Sequence, residues 1–201
     1  MIHPDTELRF INDIVGYGVV AKKFIPKGTI TWVQDDLDQI YNPEDIKKIT
    51  PVMLGYLDTY CFTNNKGQKV LCWDNAKFVN HSFNSSCMST AYDFEIAIRD
   101  IHPGEQLTDD YGYLNVEEPF EAEDEGTERK IVYPDDVLRY HEQWDKSIID
   151  NLQNVEQVAQ PLKKFIPKEN WDEFSKVLSG ESKLKSIKTC YFDHKIFNEG
   201  Q

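Results

Sequence analysis

The pattern of hydrophobic and polar positions favours β-strands in the first half of the chain. The segment 94–98 alternates, which is typical of a half-buried strand. Segments 18–21, 29–33 and 69–73 are short runs of strand-forming residues. A short helix is predicted from Asn42 to about Tyr56, because asparagine is a good N-cap and Pro43, directly after Asn42, suits the first helical position.

Two phrases of this β-rich part resemble each other. In residues 21–30 and 97–107, a strand ends in isoleucine, a turn with proline and glycine follows, and an apolar position resumes. Two copies are too few for a solenoid. They predict two similarly built hairpins within one small sheet system.

The C-terminal third follows a helical period. Pro134 and the carboxylates of Asp135 and Asp136 predict a helix start, since acidic groups stabilise the positive end of the helix dipole. A second amphipathic helix is predicted to end at Gly180. The aromatic residues here are interpreted as packing residues that cover one side of the β region; the alternative is that they build part of a substrate groove. The apolar positions are Val137, Leu138, Trp144, Ile148, Leu152, Val155, Trp171, Phe174, Val177 and Leu178.

These patterns divide the chain into a β-rich domain (1–115), an acidic connector (116–132) and a helical extension (133–201). The connector is expected to be a mobile, solvated loop, and the alternative is that it attracts a basic substrate. Its acidic residues are Glu117, Glu118, Glu121, Glu123, Asp124, Glu125 and Glu128.

Composition narrows the function classes. The 201 residues carry a net charge of −13, which argues against nucleic-acid binding and is compatible with a basic protein partner or with solubility alone. No apolar run reaches the ~20 residues that span a bilayer, so no membrane association is expected. No secretory signal is visible, so we expect a cytoplasmic protein, or a nuclear one in a eukaryote. The four cysteines form no Cys-x-x-Cys or Cys-x-Cys pair, and no metal site is predicted.

Three motifs carry candidate chemistry. Gly16-Tyr17-Gly18 precedes a strand, and glycines let a ligand approach the backbone closely. Asn80-His81-Ser82 places hydrogen-bonding groups directly after two apolar residues. In the third motif, 109–113, the paired acids lack companions with metal spacing, whereas a tyrosine hydroxyl can orient a ligand.

In this order the motifs resemble the SET domain of protein-lysine methyltransferases. The resemblance covers roughly residues 8–113 and includes the Pro-Lys-Gly turn (26–28) and the phrase Pro-Gly-Glu-x-Leu-Thr-x-Asp-Tyr-Gly (103–112). The last two motifs are highly specific in combination. Gly-x-Gly supports them only through its position.

The resemblance implies a mainly β fold with α: small twisted sheets of the β-clip type with a pseudoknot, plus a C-terminal helical segment. It implies S-adenosyl-L-methionine as cofactor and a lysine of a basic protein or peptide as substrate, entering a channel from the opposite face. The alternatives are a catalytically weak module that binds a protein partner, and a methyltransferase for another amine. By motif position, the implied cofactor-binding residues are Gly16, Tyr17, Gly18, Asn80, His81 and Tyr111.

Tyr111 also matches the catalytic tyrosine of the family. A phenol with a pKa near 10 is mostly neutral at pH 7, so this tyrosine is expected to orient groups rather than act as a strong base. The substrate amine must lose a proton, which burial and a nearby sulfonium charge favour. Asp109 and Tyr113 are expected to line the substrate channel.

The chain departs from the family pattern in three places. Asp109 stands where many relatives have an aromatic residue, and it either alters the charge of the amine or, as we favour, faces solvent or makes a structural hydrogen bond. Cys87 lacks the zinc-binding partners found in relatives, so the C-terminal helices are expected to take the place of a zinc module as a lid. The substrate-recognition insert is short and centres on residues 40–62.

Overall fold

The computed structural model of the protein describes residues 1–194. Strands dominate up to residue 109, and the two longest helices follow residue 135. The strands are β1 (Thr6–Asn12), β2 (Gly16–Ala21), β3 (Ile30–Val33), β4 (Gln39–Tyr41), β5 (Cys61–Thr63), β6 (Lys69–Leu71), β7 (Asn80–His81), β8 (Cys87–Ser89), β9 (Phe94–Ala97), β10 (Thr108–Asp109), β11 (Phe120–Glu121) and β12 (Ile131–Val132). The helices are α1 (Pro43–Ile46), α2 (Pro51–Tyr60), α3 (Asp136–Val155) and α4 (Lys168–Leu178).

Small sheets, not one large sheet, make up the β region. Four are antiparallel: β1 with β2, β11 with β12, and two three-stranded sheets in the orders β3-β9-β8 and β4-β6-β5. The remaining sheet is the parallel pair of β7 and β10. This mixture of small sheets and helices is the fold class that the sequence predicts, in its coarse form.

The two similar segments, residues 21–30 and 97–107, are hydrogen-bonded to each other. Ile25 and Ile101 exchange two backbone hydrogen bonds of 2.9 Å, and the Ala97 amide donates to the Thr29 carbonyl at 2.8 Å. Both isoleucines lie in one buried cluster with Val19 of β2. The phrases therefore hold the first hairpin against the segment that leads into β10.

Strand β9 differs from its predicted burial. All four of its residues are buried, including Glu95 at 7% exposure. The strand lies between β3 and β8, and Phe94 also contacts Phe174 of α4. The prediction of a half-buried strand was wrong, because local alternation does not reveal that helices cover the second face.

The helix predicted from Asn42 to about Tyr56 is two helices. Helix α1 ends at Ile46, and α2 begins at Pro51 after an extended Thr50 with ψ 151°. The ring of a proline disfavours helical backbone in the residue before it, so the chain breaks at this point. Helix α2 carries the chain into β5 at the edge of the groove described below.

The C-terminal helices pack on the three-stranded sheet that contains β9. Trp144 and Ile148 of α3 and Phe174 of α4 belong to the same buried cluster as Ile30 and Phe94. They are thus part of the main core. Among residues 1–194, no helix combines the length and the apolar character needed to cross a bilayer.

Candidate functional site

The parallel pair of β7 and β10 brings two of the three sequence motifs together. Asn80 pairs with Thr108 and His81 with Asp109. The Ser82 amide extends the pairing by donating to the Asp109 carbonyl at 2.9 Å. Side chains that are distant in sequence therefore lie side by side.

Asn80 connects this pair to the first motif. Its Nδ2 donates to the backbone carbonyl of Tyr17 at 3.1 Å and to Gln106 Oε1 at 2.9 Å. A Cβ on Gly18 would lie 2.8 Å from Asn80 Nδ2 and 2.3 Å from Gln106 Oε1, so only glycine allows this approach. The Tyr17 side chain is exposed and packs edge-on against Phe10, so only its backbone takes part.

Gly16 opens the first motif for a different reason. It has φ +71°, a conformation that side chains disfavour, and open space surrounds its Cα. It turns the chain at the start of β2, whereas Gly18 allows a close approach.

His81 has one satisfied and one unsatisfied ring nitrogen. The Tyr111 amide donates to Nδ1 at 3.1 Å, so the neutral ring carries its proton on Nε2. Nε2 is buried and finds no hydrogen-bond partner within residues 1–194. Burial lowers the pKa of His81, which keeps the ring neutral. A donor remains for a ligand.

Tyr111 is held by its own hydroxyl. It donates to the Val79 carbonyl at 2.6 Å, and burial raises the pKa of the phenol. The residue opens a short 3₁₀ helix, Tyr111–Tyr113, whose N-cap is Asp110; the Asp110 side chain accepts from the Gly112 amide at 3.0 Å. Local capping therefore fixes a neutral tyrosine next to His81.

Two cavities flank the paired strands. One, of about 410 Å³, is lined by Asn80, His81 and Thr108. The other is a groove of about 860 Å³ lined by Asp109, Tyr111 and many further residues. Successive side chains of a strand point to opposite faces, which explains why Thr108 and Asp109 line different cavities. Within the described part of the chain, the two share no lining residue.

A comparison with known proteins agrees with this geometry. Residues 16–112 match the family model of the SET domain. The chain is a SET-domain protein. No curated protein sequence matches it significantly. The matched segment begins at Gly16 and ends at Gly112, so it includes the first two motifs and all of the third except Tyr113.

The SET domain of this chain has a buried acid pair, one member of which is Asp109, the residue that stands where many relatives have an aromatic one. Asp109 does not face solvent: it is 5% exposed, and its Oδ1 accepts from the Tyr113 hydroxyl at 3.0 Å. Of the two favoured alternatives, solvent exposure was wrong and the structural hydrogen bond is present. Glu95, which sequence reasoning missed, lies beside Asp109 and also lines the groove. The only signal was a charged residue within an apolar strand.

The acidic connector contacts the SET-domain motifs directly. Glu125 accepts from the Ser82 hydroxyl at 3.0 Å and from the Phe83 amide at 2.9 Å. Arg129 bridges two buried carboxylates, Asp110 and Asp136, and so ties the connector to both the third motif and α3. The expected free loop is therefore a bound hairpin around β11 and β12, and the sequence did not indicate either contact.

The cysteines of the SET domain are free thiols. Burial raises the pKa of Cys87, which is therefore a neutral core thiol. Across residues 1–194, no group of three histidine, cysteine or acidic side chains is arranged to hold a metal ion.

Proposed function

We propose that this SET-domain protein is a methyltransferase that transfers a methyl group from S-adenosyl-L-methionine to a lysine amine of a protein. One observation carries the proposal: the motifs containing His81 and Tyr111 meet, with a separate cavity on each side of the strands that join them. Transfer between two bound molecules needs two adjacent sites, and the short strands β7 and β10 lie between these two cavities. Most SET-domain proteins catalyse this reaction.

The smaller cavity fits the cofactor. Its volume of about 410 Å³ lies in the range of small-molecule sites. Asn80 and His81 line it, and His81 Nε2, which has no partner among residues 1–194, offers a donor. We assign cofactor binding to Asn80 and His81, which line this cavity, and to the adjoining backbone of Gly16, Tyr17 and Gly18. Tyr111, the remaining residue implied by motif position, lines the larger groove, so we assign it to orienting the reacting groups. The cofactor, when bound, supplies an electrophilic methyl group on a sulfonium centre.

The larger groove fits a basic peptide. Seven acidic and four basic residues line it, so it attracts positive charge. The acidic residues are Asp58, Asp93, Glu95, Asp109, Glu117, Glu118 and Glu173, and the basic ones are Lys66, Lys69, Lys77 and Lys185. Aromatic rings of Tyr60, Phe62 and Phe120 offer apolar walls for an aliphatic lysine stem.

In this assignment Tyr111 orients and does not remove protons. Its hydroxyl proton is engaged by the Val79 carbonyl, and its raised pKa keeps it neutral. The oxygen retains lone pairs, and the residue lines the larger groove. Holding two reacting groups in line can supply ~7–11 kcal/mol of the barrier reduction.

Cofactor binding is the first test. Isothermal titration calorimetry of the full chain with S-adenosyl-L-methionine should show one site. Asn80→Ala should weaken binding by at least about tenfold, because it removes two hydrogen bonds of ~0.5–1.5 kcal/mol each that position the cavity wall. The matched control is Asn75→Ala, an exposed asparagine that lines neither cavity. Absence of binding to the intact protein would contradict the proposal.

Product analysis is the second test. The protein is incubated with a cell lysate and isotope-labelled S-adenosyl-L-methionine, and mass spectrometry then locates the label. Label on lysine side chains supports the proposal. Label on another amine indicates the alternative substrate class, and cofactor binding without labelled product indicates a protein-binding module.

A further inference from the structure

Two buried carboxyl groups form the floor of the large groove. Asp109 of β10 is 5% exposed and Glu95 of β9 is 7% exposed, and both line the groove beside Tyr111. The Tyr113 hydroxyl donates to Asp109 Oδ1 at 3.0 Å, and the Ser89 hydroxyl donates to Glu95 Oε1 at 2.9 Å. Each carboxyl is therefore held in place and keeps unused acceptor capacity.

An unused donor lies on the same floor. Trp32 pairs with Glu95 between β3 and β9, lines the groove and is 7% exposed. Its indole Nε1 is buried and has no partner among residues 1–194. A buried N–H without an acceptor costs free energy, and an ammonium cannot supply an acceptor; a cation therefore interacts with the two carboxyl groups of the floor and not with this donor. The floor is thus arranged for a polar group and not only for an aliphatic chain.

The acid pair carries a single negative charge at neutral pH. Burial raises the pKa of Asp109 to about 6 and raises that of Glu95 further, so Glu95 holds the shared proton and Asp109 is ionised. The pair is faced by the neutral thiol of Cys87 on β8, by Tyr111, Tyr113 and Asp110, and by the N-terminal ammonium of Met1, which itself pairs with Asp35.

We propose that Asp109, backed by Glu95, accepts the proton that the substrate ammonium loses before methyl transfer. The proposal rests on the proposed function. An N–H bond of the ammonium breaks, its electron pair stays on nitrogen as a lone pair, and the proton forms an O–H bond with the Asp109 carboxylate. The amine is then neutral, as methyl transfer requires, and the acid pair is neutral as well.

The proposal also defines the substrate class. The group that enters must be a cation that carries at least one N–H, such as a primary or a partly methylated ammonium. An amine without an N–H has no proton to give to Asp109. This requirement follows from the Asp109 carboxylate and not from the excess of acidic residues along the groove.

Paired variants separate charge from shape. Asp109→Asn keeps an oxygen that accepts from Tyr113 but removes the charge, and it should lower kcat at pH 7 by ~10²–10⁴-fold, the range for a lost acid–base group. Glu95→Gln mimics the protonated partner, leaves Asp109 charged and should cost less than about tenfold. Asp150→Asn, on an exposed turn of α3, is the control for the chemical change.

The pH profile gives a readout that a purely structural role would not move. In the wild type, kcat/KM with a histone mixture and labelled S-adenosyl-L-methionine should fall as the pH drops below about 6, where Asp109 of the free protein is protonated. Asp109→Asn should lack this decline. Thermal unfolding and calorimetric cofactor binding of each variant show whether it is folded and loaded.

A second measurement needs no cofactor. Asp109 is observed by carboxyl ¹³C NMR, assigned with Asp109→Asn, and titrated with and without n-butylammonium as a mimic of the lysine side chain. A bound cation favours the ionised carboxylate, so the titration midpoint of Asp109 should move to lower pH.

The outcomes are distinguishable. Failure of the wild type to bind S-adenosyl-L-methionine overturns the proposed function, and the mechanistic role of Asp109 fails with it. Cofactor binding and normal turnover by Asp109→Asn, with an unchanged pH profile, overturn only the role of Asp109. An Asp109 titration that n-butylammonium does not move also overturns that role.

Discussion

The cavity beside Asn80 and the groove beside Asp109 flank the same two short strands but are built differently. The cavity contains the whole second motif, Asn80-His81-Ser82, in its lining, and Asn80 is joined to the first motif through the Tyr17 carbonyl. The groove draws its lining from segments spread between Ile2 and Cys190.

This difference indicates which of the two linings can accept a change of side-chain chemistry. Changes in the cavity wall disturb contacts among the motifs, because each side chain there supports another. The groove floor tolerates a carboxyl at position 109 because Tyr113 and Glu95, from the same segment and from β9, accommodate it. Under the proposed function, a change in the groove floor therefore leaves the contacts of Asn80 intact.

The largest effect is expected from removing the support common to both sides. Arg129→Met leaves Asp110 and Asp136 buried without their cation, which should cost about 3–5 kcal/mol of unfolding free energy. Urea denaturation measures this. Lys130→Met is the control, since its pair with Asp124 is exposed and should contribute at most about 1 kcal/mol. Equal stability of the two variants would show that the connector does not brace the site.

The second-largest effect is expected from loss of the Tyr111 hydroxyl. This change should lower turnover without affecting cofactor binding, and so it tests the two sides separately. Tyr111→Phe removes the hydrogen bond to Val79 and should lower kcat about 10²-fold through misplacement of the reacting groups. Cofactor affinity should change little. Steady-state kinetics with calorimetry checks both. Tyr133→Phe, outside both cavities, is the matched control, and a parallel loss of cofactor affinity in Tyr111→Phe would argue against the separation.

A smaller effect, confined to the cofactor side, is expected at Gly18. In Gly18→Ala the new methyl collides with the Gln106 and Asn80 amides, which must move, and cofactor affinity should fall about tenfold, equivalent to ~1.4 kcal/mol. Gly55→Ala in α2, where open space surrounds the Cα, is the control and should stabilise the helix by ~0.5–1 kcal/mol. Calorimetry and thermal unfolding measure these; unchanged cofactor affinity in Gly18→Ala contradicts the assigned cavity.

On the groove side, the expected effect is a change in the pH dependence of stability. The folded-state pKa of Asp109 lies above its unfolded value of 3.8, so its contribution to stability is fully present below pH 3.8 and is lost as the pH rises through about 6. Each unit of this shift corresponds to ~1.4 kcal/mol. Urea denaturation from pH 4 to 7 should show Asp109→Asn gaining stability relative to the wild type. A constant difference across this range would contradict the shifted carboxyl.

Sequence patterns predicted much of the fold but not its layering. Helical periodicity and the Pro134 signal placed the long C-terminal helix, which the structure begins at Asp136. Local alternation failed for β9, since burial of its second face depends on Phe174 and other residues far along the chain. Proline chemistry at Pro51, overlooked in the sequence, divides the predicted first helix.

The candidate site was predictable to the extent that it lies in contiguous motifs. Resemblance to a family singled out Asn80, His81 and Tyr111, which the structure brings into contact. The resemblance gave no indication of the contacts of Glu125 and Arg129. These contacts depend on how the connector folds against the rest of the chain.

By itself, the sequence determined the family, the order of the motifs and the residues in them that differ from the common pattern. These are local properties that a short run of side chains carries wherever it folds. Only the tertiary structure decided that Glu95 lies beside Asp109 and that the Trp32 indole N–H has no acceptor within the described residues. Burial and proton sharing depend on which strands become neighbours, and strand neighbours are set by the whole fold.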